Sequence, residues 1–357
     1  MPESRPTTGR PQRIATLAAA NRTLPARRWA RSLAPGFIPV LTAGCAGPQS
    51  TFEAAGTEAA NVATLFWVML AGAVVIWLLV IGLSVYATRV NPAAHSEATG
   101  IRLIIWGGAV VPTIVLAALL SWGLTMMPEL RREADGPKIA VSGERFWWRI
   151  AYGVEGEPGV AKSLPAGGVE SANELWLPVG RRSEILLGSP DVIHSFWVPA
   201  IAGKTDAIPG RVNRLVLEPT REGVYNGVCA EFCGDAHAQM GFRVVVVSGA
   251  NYTHYVEAQS QPAAVTEGEG AERFVERGCG ACHTVRGTPA DGAVGPDLTH
   301  IASRKTIGAG LLETTPANIA AFIRSPAHLK PGAEMPAFAM LPEAEITAIA
   351  NWLGALR

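Results

Sequence analysis

Two stretches of the chain are apolar on every face. Residues 62–87 and 103–127 carry no charged side chain, and each exceeds the ~20 residues a helix needs to cross a hydrocarbon layer. A core helix of a soluble protein would keep a polar stripe over such a length. The pattern therefore predicts a membrane-crossing helix hairpin over 62–127, with both ends on one side. Pro112 in the second run is tolerated if a neighbouring helix packs around it. Beyond 137 the period shortens to two. Segments 146–152, 174–179, 182–187, 192–198, 212–217 and 242–247 alternate and are separated by turn residues, which predicts an all-β sandwich or barrel across 137–258. Residues 259–270, rich in Gln, Pro, Ala, Glu and Gly, read as a flexible linker able to span roughly 20 Å. After it, 271–278 and 342–356 return to helical spacing, with Phe274, Ile346, Ile349, Trp352 and Leu353 as core positions.

Composition adds a targeting segment and removes one class of partner. Residues 1–31 are rich in arginine, lack lysine and hold one acid, Glu3. A short apolar run then ends at Ala43-Gly44 before Cys45. This order describes a secretory segment over 1–44, and the small residues before Cys45 resemble a bacterial lipoprotein processing site, which makes Cys45 a lipidation candidate. Thr42, Pro35 and Pro39 depart from that pattern, and an uncleaved basic tail is the alternative. The formal net charge over 357 residues is zero, so no basic excess points to nucleic acid. Arg89 and Arg102 against Glu97 in the connecting loop lean that loop towards the cytoplasm.

Five cysteines are too few for a disulfide scaffold, and four of them fall in two tight pairs, the spacing of metal or haem attachment. The first pair lies in Cys229-Ala-Glu-Phe-Cys233-Gly-Asp-Ala-His237-Ala-Gln-Met240. Thiolates, an imidazole and a thioether together select copper over harder cations. Two thiolates with one histidine are too rich in sulfur for a blue-copper centre. The balance suggests two copper ions sharing both sulfurs, with a second imidazole from His194. A disulfide or half of a zinc site would explain the cysteines alone, but zinc has no use for Met240. The second pair, Cys279-Gly-Ala-Cys282-His283, is the c-type haem attachment signature; a thioredoxin-like pair would lack the histidine. Met335, between Pro331-Gly332 and Pro336, is the preferred sixth ligand, with Met340 and His328 as rivals. A thioether opposite histidine raises the iron potential.

These motifs resemble subunit II of the haem–copper cytochrome oxidases over 62–257 and a class I cytochrome c over 271–357. Together they resemble the fused subunit of a caa3-type oxidase. The resemblance implies a multi-domain membrane protein: a two-helix transmembrane hairpin, an all-β cupredoxin-like Greek-key barrel and an all-α class I cytochrome c domain. It matches His194, Cys229, Cys233, His237 and Met240 to the side-chain ligands of binuclear copper A. Glu231 matches the residue whose backbone carbonyl binds copper and whose carboxylate reaches a magnesium ion at the subunit I border. Asp206 and Arg211 match a segment near copper, or serve a turn. In the family an exposed tryptophan admits electrons; Phe146 stands there, leaving Phe146, Trp147 and Trp148 as entry candidates. Ile105 replaces a carboxylate that many relatives place before the second span.

The implied function is an electron-accepting subunit of an aerobic terminal oxidase, passing electrons from haem c to copper A. They continue to subunit I, with its haem and copper B, where oxygen becomes water. Subunit III and an upstream cytochrome c or complex III-type donor are the other implied partners. The implied location is the bacterial plasma membrane, two-pass, with copper and haem on the outer face. A nitric oxide reductase relative and a standalone membrane electron carrier are the alternatives. Acids and bases nearly balance within 137–258 and within 271–357, so weak, mostly apolar docking between the two domains is expected.

Overall fold

The computed structural model describes residues 46–92, 96–130 and 133–357; the segment 1–44, Cys45 and His95 lie outside them. Two long helices, Thr57–Val90 and Glu97–Met127, contain 34 and 31 residues. At about 1.5 Å per residue each outreaches a ~30 Å hydrocarbon core. Their large side chains, Trp67, Ile76, Trp77, Leu79, Ile104 and Leu116 among them, are exposed. Such surfaces are stable only against lipid or other apolar helices, and the chain is membrane-anchored. Both helices begin before the apolar runs. Ser96 caps the second by accepting from the Thr99 amide, so the polar turn from Glu97 to Arg102 is already helical. The first is clamped where it starts: Ala55 N donates to Ala200 O at 2.6 Å and Thr57 N to Glu218 O at 3.1 Å. A Cβ on Gly56 would lie 2.2 Å from Ile201 O.

The β domain has two sheets. One orders as β3-β9-β6-β1-β2-β4 and the other as β5-β11-β10-β7-β8. In the first, β1 (Lys138–Glu144), β2 (Trp147–Tyr152), β3 (Gly159–Val160), β4 (Val169–Ala172), β6 (Ser183–Gly188) and β9 (Arg211–Leu217) take part. In the second are β5 (Glu174–Pro178), β7 (His194–Trp197), β8 (Thr205–Ala207), β10 (Gly223–Cys229) and β11 (Gly241–Val247). The pairs β1–β6 and β5–β11 are parallel and the other strand pairs antiparallel. Inward side chains meet at Trp148, Phe196 and Phe242, with ring centroids 4.4–5.5 Å apart. Gly227 faces Phe242 across the β10–β11 ladder; a Cβ there would sit 2.0 Å from the ring.

Beyond β11 the chain forms a helix, Gly249–Ser260, whose Tyr255 stacks on Trp176 at 4.1 Å. Residues 261–268 do not behave as the flexible linker expected. Ala263 is buried, its amide donates to Arg286 O at 2.9 Å, and Trp352 Nε1 donates to Val265 O at 2.9 Å. Polar backbone here finds partners in the C-terminal unit instead of water. That unit packs the helices Glu269–Glu276, Pro316–Arg324 and Glu343–Leu353 around Phe274, Ile346, Ile349, Trp352 and Leu353. Gly270 is the crossing point: a Cβ there would lie 2.4 Å from both Ala348 O and Trp352 Cβ. We predict that Gly270→Ala destabilises the crossing by about 1–3 kcal/mol, the range for overpacking. Amide exchange across Glu343–Leu353 checks it; unchanged exchange would mean the helices have room.

Candidate metal and haem centres

Cys229 ends β10, and its amide donates to Met240 O at 3.0 Å while Ala230 N donates to Ser195 O at 2.8 Å. These bonds close the 229–240 loop over β7, so that residues far apart in sequence converge. Cys229 Sγ and Cys233 Sγ are 3.9 Å apart. His194 Nδ1 lies 3.9 Å from Cys229 Sγ, and His237 Nδ1 lies 3.7 Å from Cys233 Sγ. Met240 Sδ is 3.7 Å from Cys233 Sγ, and Glu231 O is 3.2 Å from Cys229 Sγ. His194, Cys229, Cys233 and Met240 are buried, and His237 is half-buried. Two metal–thiolate bonds of about 2.3 Å, the length found for zinc, can span that sulfur separation with the metal off the line. An imidazole lies next to each sulfur. The donor set fits a two-copper centre.

Burial pushes the Cys229 thiol up, but hydrogen bonds from His194 and neighbouring backbone outweigh it and bring the pKa to about 7. Burial and the adjacent Cys229 charge push Cys233 up to about 12. The two thiols thus resist ionising together, and a bound metal ionises both sulfurs. Sequence pattern gives no signal for Asp191, which stands three residues before His194. Its Oδ1 meets His194 Nε2 at 2.9 Å, and its Oδ2 accepts from Arg145 N at 2.8 Å. The contact fixes the ring so that Nδ1 faces the sulfur, as carboxylates behind metal-binding histidines do. Burial opposes a charge on His194, but Cys229 and Asp191 outweigh it and raise its pKa.

The second centre is a cavity of about 270 Å³ whose wall includes Cys279, Cys282, His283 and Met335. Met340 is 76% exposed and His328 is also exposed, so neither rival of Met335 lines it. His283 Nδ1 is 2.8 Å from Pro296 O. A carbonyl only accepts, so Nδ1 carries the proton and Nε2 keeps the lone pair an iron needs. A Cβ on Gly295 would lie 2.5 Å from His283 Cε1, so that position has to be glycine. With the free thiols of Cys279 and Cys282, the site fits a covalently held haem.

Part of the cavity wall belongs to the barrel: Arg145, Phe146, Trp147 and Asn173. Phe146 is buried. Gly234 of the two-cysteine loop lies against one part of its ring and Gly332 of the Met335 loop against another, each so close that a Cβ would come within 3.0 Å. Trp147 is half-buried, with the Arg149 guanidinium 4.7 Å from its ring. Trp148 is wholly inside the barrel, its Nε1 3.4 Å from Met240 O. Sealed there, Trp148 cannot meet an external donor, and Phe146 has no exposed face of the kind the family comparison implied. The Glu231 carboxylate is 4.0 Å from Lys204. Arg211 Nε and Asp206 O both bond Asn213, an arrangement that serves the turn.

The contact between barrel and C-terminal unit differs from the apolar one expected. Arg149 Nη2 donates to Ala293 O at 2.9 Å, Lys305 N to Glu174 Oε2 at 2.8 Å and Gly241 N to Ala309 O at 3.0 Å. Balanced net charge conceals individual charges that are buried at the contact.

Two family models match the chain. Residues 161–248 match "Cytochrome C oxidase subunit II, periplasmic domain" and residues 268–357 match "Cytochrome c". Cytochrome c oxidase subunit 2 of Alkalihalophilus pseudofirmus is 37% identical over 61% of this chain and 61% of its own length. The chain therefore aligns with less than two thirds of that relative. The same-named protein of Bacillus subtilis is 25% identical over 93% of this chain and 98% of its own. That of a Bacillus species is 28% identical over 69% of each.

For the residue the sequence did not single out, we predict that Asp191→Asn weakens copper retention by about 10- to 100-fold, the usual effect of losing a carboxylate behind a ligand histidine. Copper titration against a competing chelator measures it. Wild-type retention would remove Asp191 from the centre.

Proposed function

We propose, from the match of residues 161–248 to the cytochrome c oxidase subunit II periplasmic domain and of residues 268–357 to cytochrome c, that the chain is the electron-accepting subunit of an aerobic terminal oxidase. Haem c and copper A, when bound, supply one-electron carriers. Cys279, Cys282 and His283 would hold the haem, with Met335 as the sixth ligand. His194, Cys229, Cys233, His237, Met240 and the Glu231 carbonyl would hold the copper pair. The observation that carries the reading is Phe146, which lines the haem cavity and packs on the copper loop. Phe146 then belongs to a bridge within the chain and not to a surface entry point.

The rest of the chain supports this assignment. Apolar packing around Trp148 and Phe196 buries both thiols, His194 and Met240, which limits rearrangement of solvent around them when an electron arrives. Beyond copper, the route would continue to a catalytic subunit I, where oxygen is reduced. Phe232, 77% exposed beside His237, is the apolar side chain that such a partner would cover. The Glu231 carboxylate, half exposed at the same edge, would reach a magnesium ion shared with that partner. Subunit III and an upstream cytochrome are further partners of this assembly. The barrel holds the start of the first membrane helix beside Gly56, and Gly136, past the end of the second, donates its amide to Arg182 O at 3.0 Å. Those ends would face the outside of a bacterial plasma membrane, after removal of 1–44.

We predict that the purified subunit carries one unpaired electron shared by two copper ions, visible by electron paramagnetic resonance. Cys229→Ser is expected to abolish that signal and leave the haem c absorption. A single-copper spectrum in the wild-type chain would sink the copper assignment. Oxygen uptake by the assembled complex supports the oxidase; nitric oxide consumption without it would favour the reductase relative. Purification with no catalytic partner would favour a standalone carrier.

A further inference from the structure

Lys330 stands between the two centres without being a ligand of either. It is 4% exposed. An ammonium has three protons to donate, and three carbonyls receive them: Phe146 O at 2.6 Å, Gly308 O at 2.8 Å and Gln239 O at 3.1 Å. Phe146 is in the β1–β2 turn and Gln239 directly precedes Met240, so two of the three acceptors belong to the barrel. Among the described residues no carboxylate pairs with Lys330. Removing an unpaired cation from water is costly, and burial lowers its pKa to about 7. A lysine serving only its own fold would not spend two donors on another domain.

Glu174 mirrors it from the barrel. It is 2% exposed, and its carboxylate accepts from Trp176 Nε1 at 2.9 Å and from Lys305 N of the C-terminal unit at 2.8 Å. Each unit thus sends one buried charged side chain into the other, where backbone groups receive it. These contacts are not fully formed when either partner is absent, and undocking would expose each to water.

We propose that Lys330 is a positioning residue for electron transfer: with Glu174 it locks the C-terminal unit on the barrel in one pose, holding Phe146 between the Met335 loop and the copper loop. The proposal rests on the reading of haem c and copper A as donor and acceptor. Transfer then starts from a standing docked state, not from repeated encounters of a tethered domain. Because the locking contacts are buried, salt screens them little.

The test uses the full chain in the purified oxidase with three variants: Lys330→Met, which keeps length and removes every donor, Lys330→Arg, which keeps charge and donors, and Glu174→Leu. Two quantities are read: amide exchange at Lys305 and Gly241, whose partners lie across the contact, and the rate of copper reduction by the haem after rapid mixing. Lys330→Met and Glu174→Leu are expected to speed exchange at both amides by about tenfold or more. They should slow transfer comparably and make it sensitive to viscosity. Haem and copper spectra should stay as in the wild type, and Lys330→Arg should restore much of both quantities. Unchanged exchange overturns the lock. Faster exchange with an unchanged transfer rate overturns the positioning role. Exchange that rises equally across Glu269–Glu276 and Glu343–Leu353 means Lys330 serves only its own fold, and overturns it too. Failure of wild-type copper to take electrons from the haem would instead overturn the functional reading, because the exchange data require no turnover.

Discussion

Two sulfur atoms held 3.9 Å apart inside a β barrel set the terms for much of this chain. Thiols so close resist ionising together, and burial adds to that resistance. The surroundings answer with an imidazole nitrogen beside each sulfur, the Asp191 carboxylate holding the His194 ring in place, while the Glu231 carbonyl accepts from the Cys229 thiol. Each comes from backbone that is itself tied down. Cys229 is the last residue of β10, His194 the first of β7, and the ladder between those strands ends next to the metal donors. The loop from Glu231 to Gln239, regular only in the 3-10 turn His237–Gln239, is carried at both ends by a rigid sheet.

The same loop also supports the second centre. Gly234 lets Phe146 approach it, Gln239 accepts from Lys330, and Gly241 donates across to Ala309. Few of these contacts involve large apolar area. They are directional and desolvated, which gives one docked geometry more than it gives affinity. A tether alone raises the encounter rate of two domains; it does not choose an orientation. Here orientation comes from buried charges meeting backbone carbonyls and amides. The segment 261–268, packed against the C-terminal unit, removes the slack that a flexible tether would have left.

The first membrane helix is joined to the barrel with similar closeness. Gly56 has no space for a side chain above Ile201, and Thr57 begins its helix while its amide is still bonded to Glu218. The barrel is therefore held at a set height above the hydrocarbon layer. A copper site at its rim then has a defined position relative to any partner embedded beside the helices.

Local pattern determined a good deal. Uniformly apolar runs identified both membrane helices, and short apolar runs between turn residues located β2, β5, β6, β7, β9 and β11, of which β5, β6 and β7 are buried at nearly every position. Spacing of Cys, His and Met nominated side chains that the fold gathers around two sites. The same rules passed over β1 and β10, where Gly143, Gly223, Asn226 and Gly227 lower strand propensity. Gly143 and Gly227 exist because the His194 ring and Phe242 occupy the space a Cβ would need. Tertiary structure alone decided that Trp148 is core, that Phe146 joins the two sites, and that Asp191, Glu174 and Lys330 matter. Lys330 and Phe146 are 184 residues apart. A cation in a Pro/Gly-rich loop looks like solvated surface until the fold carries three carbonyls to it, because periodicity records which face is buried and not what lies across the contact.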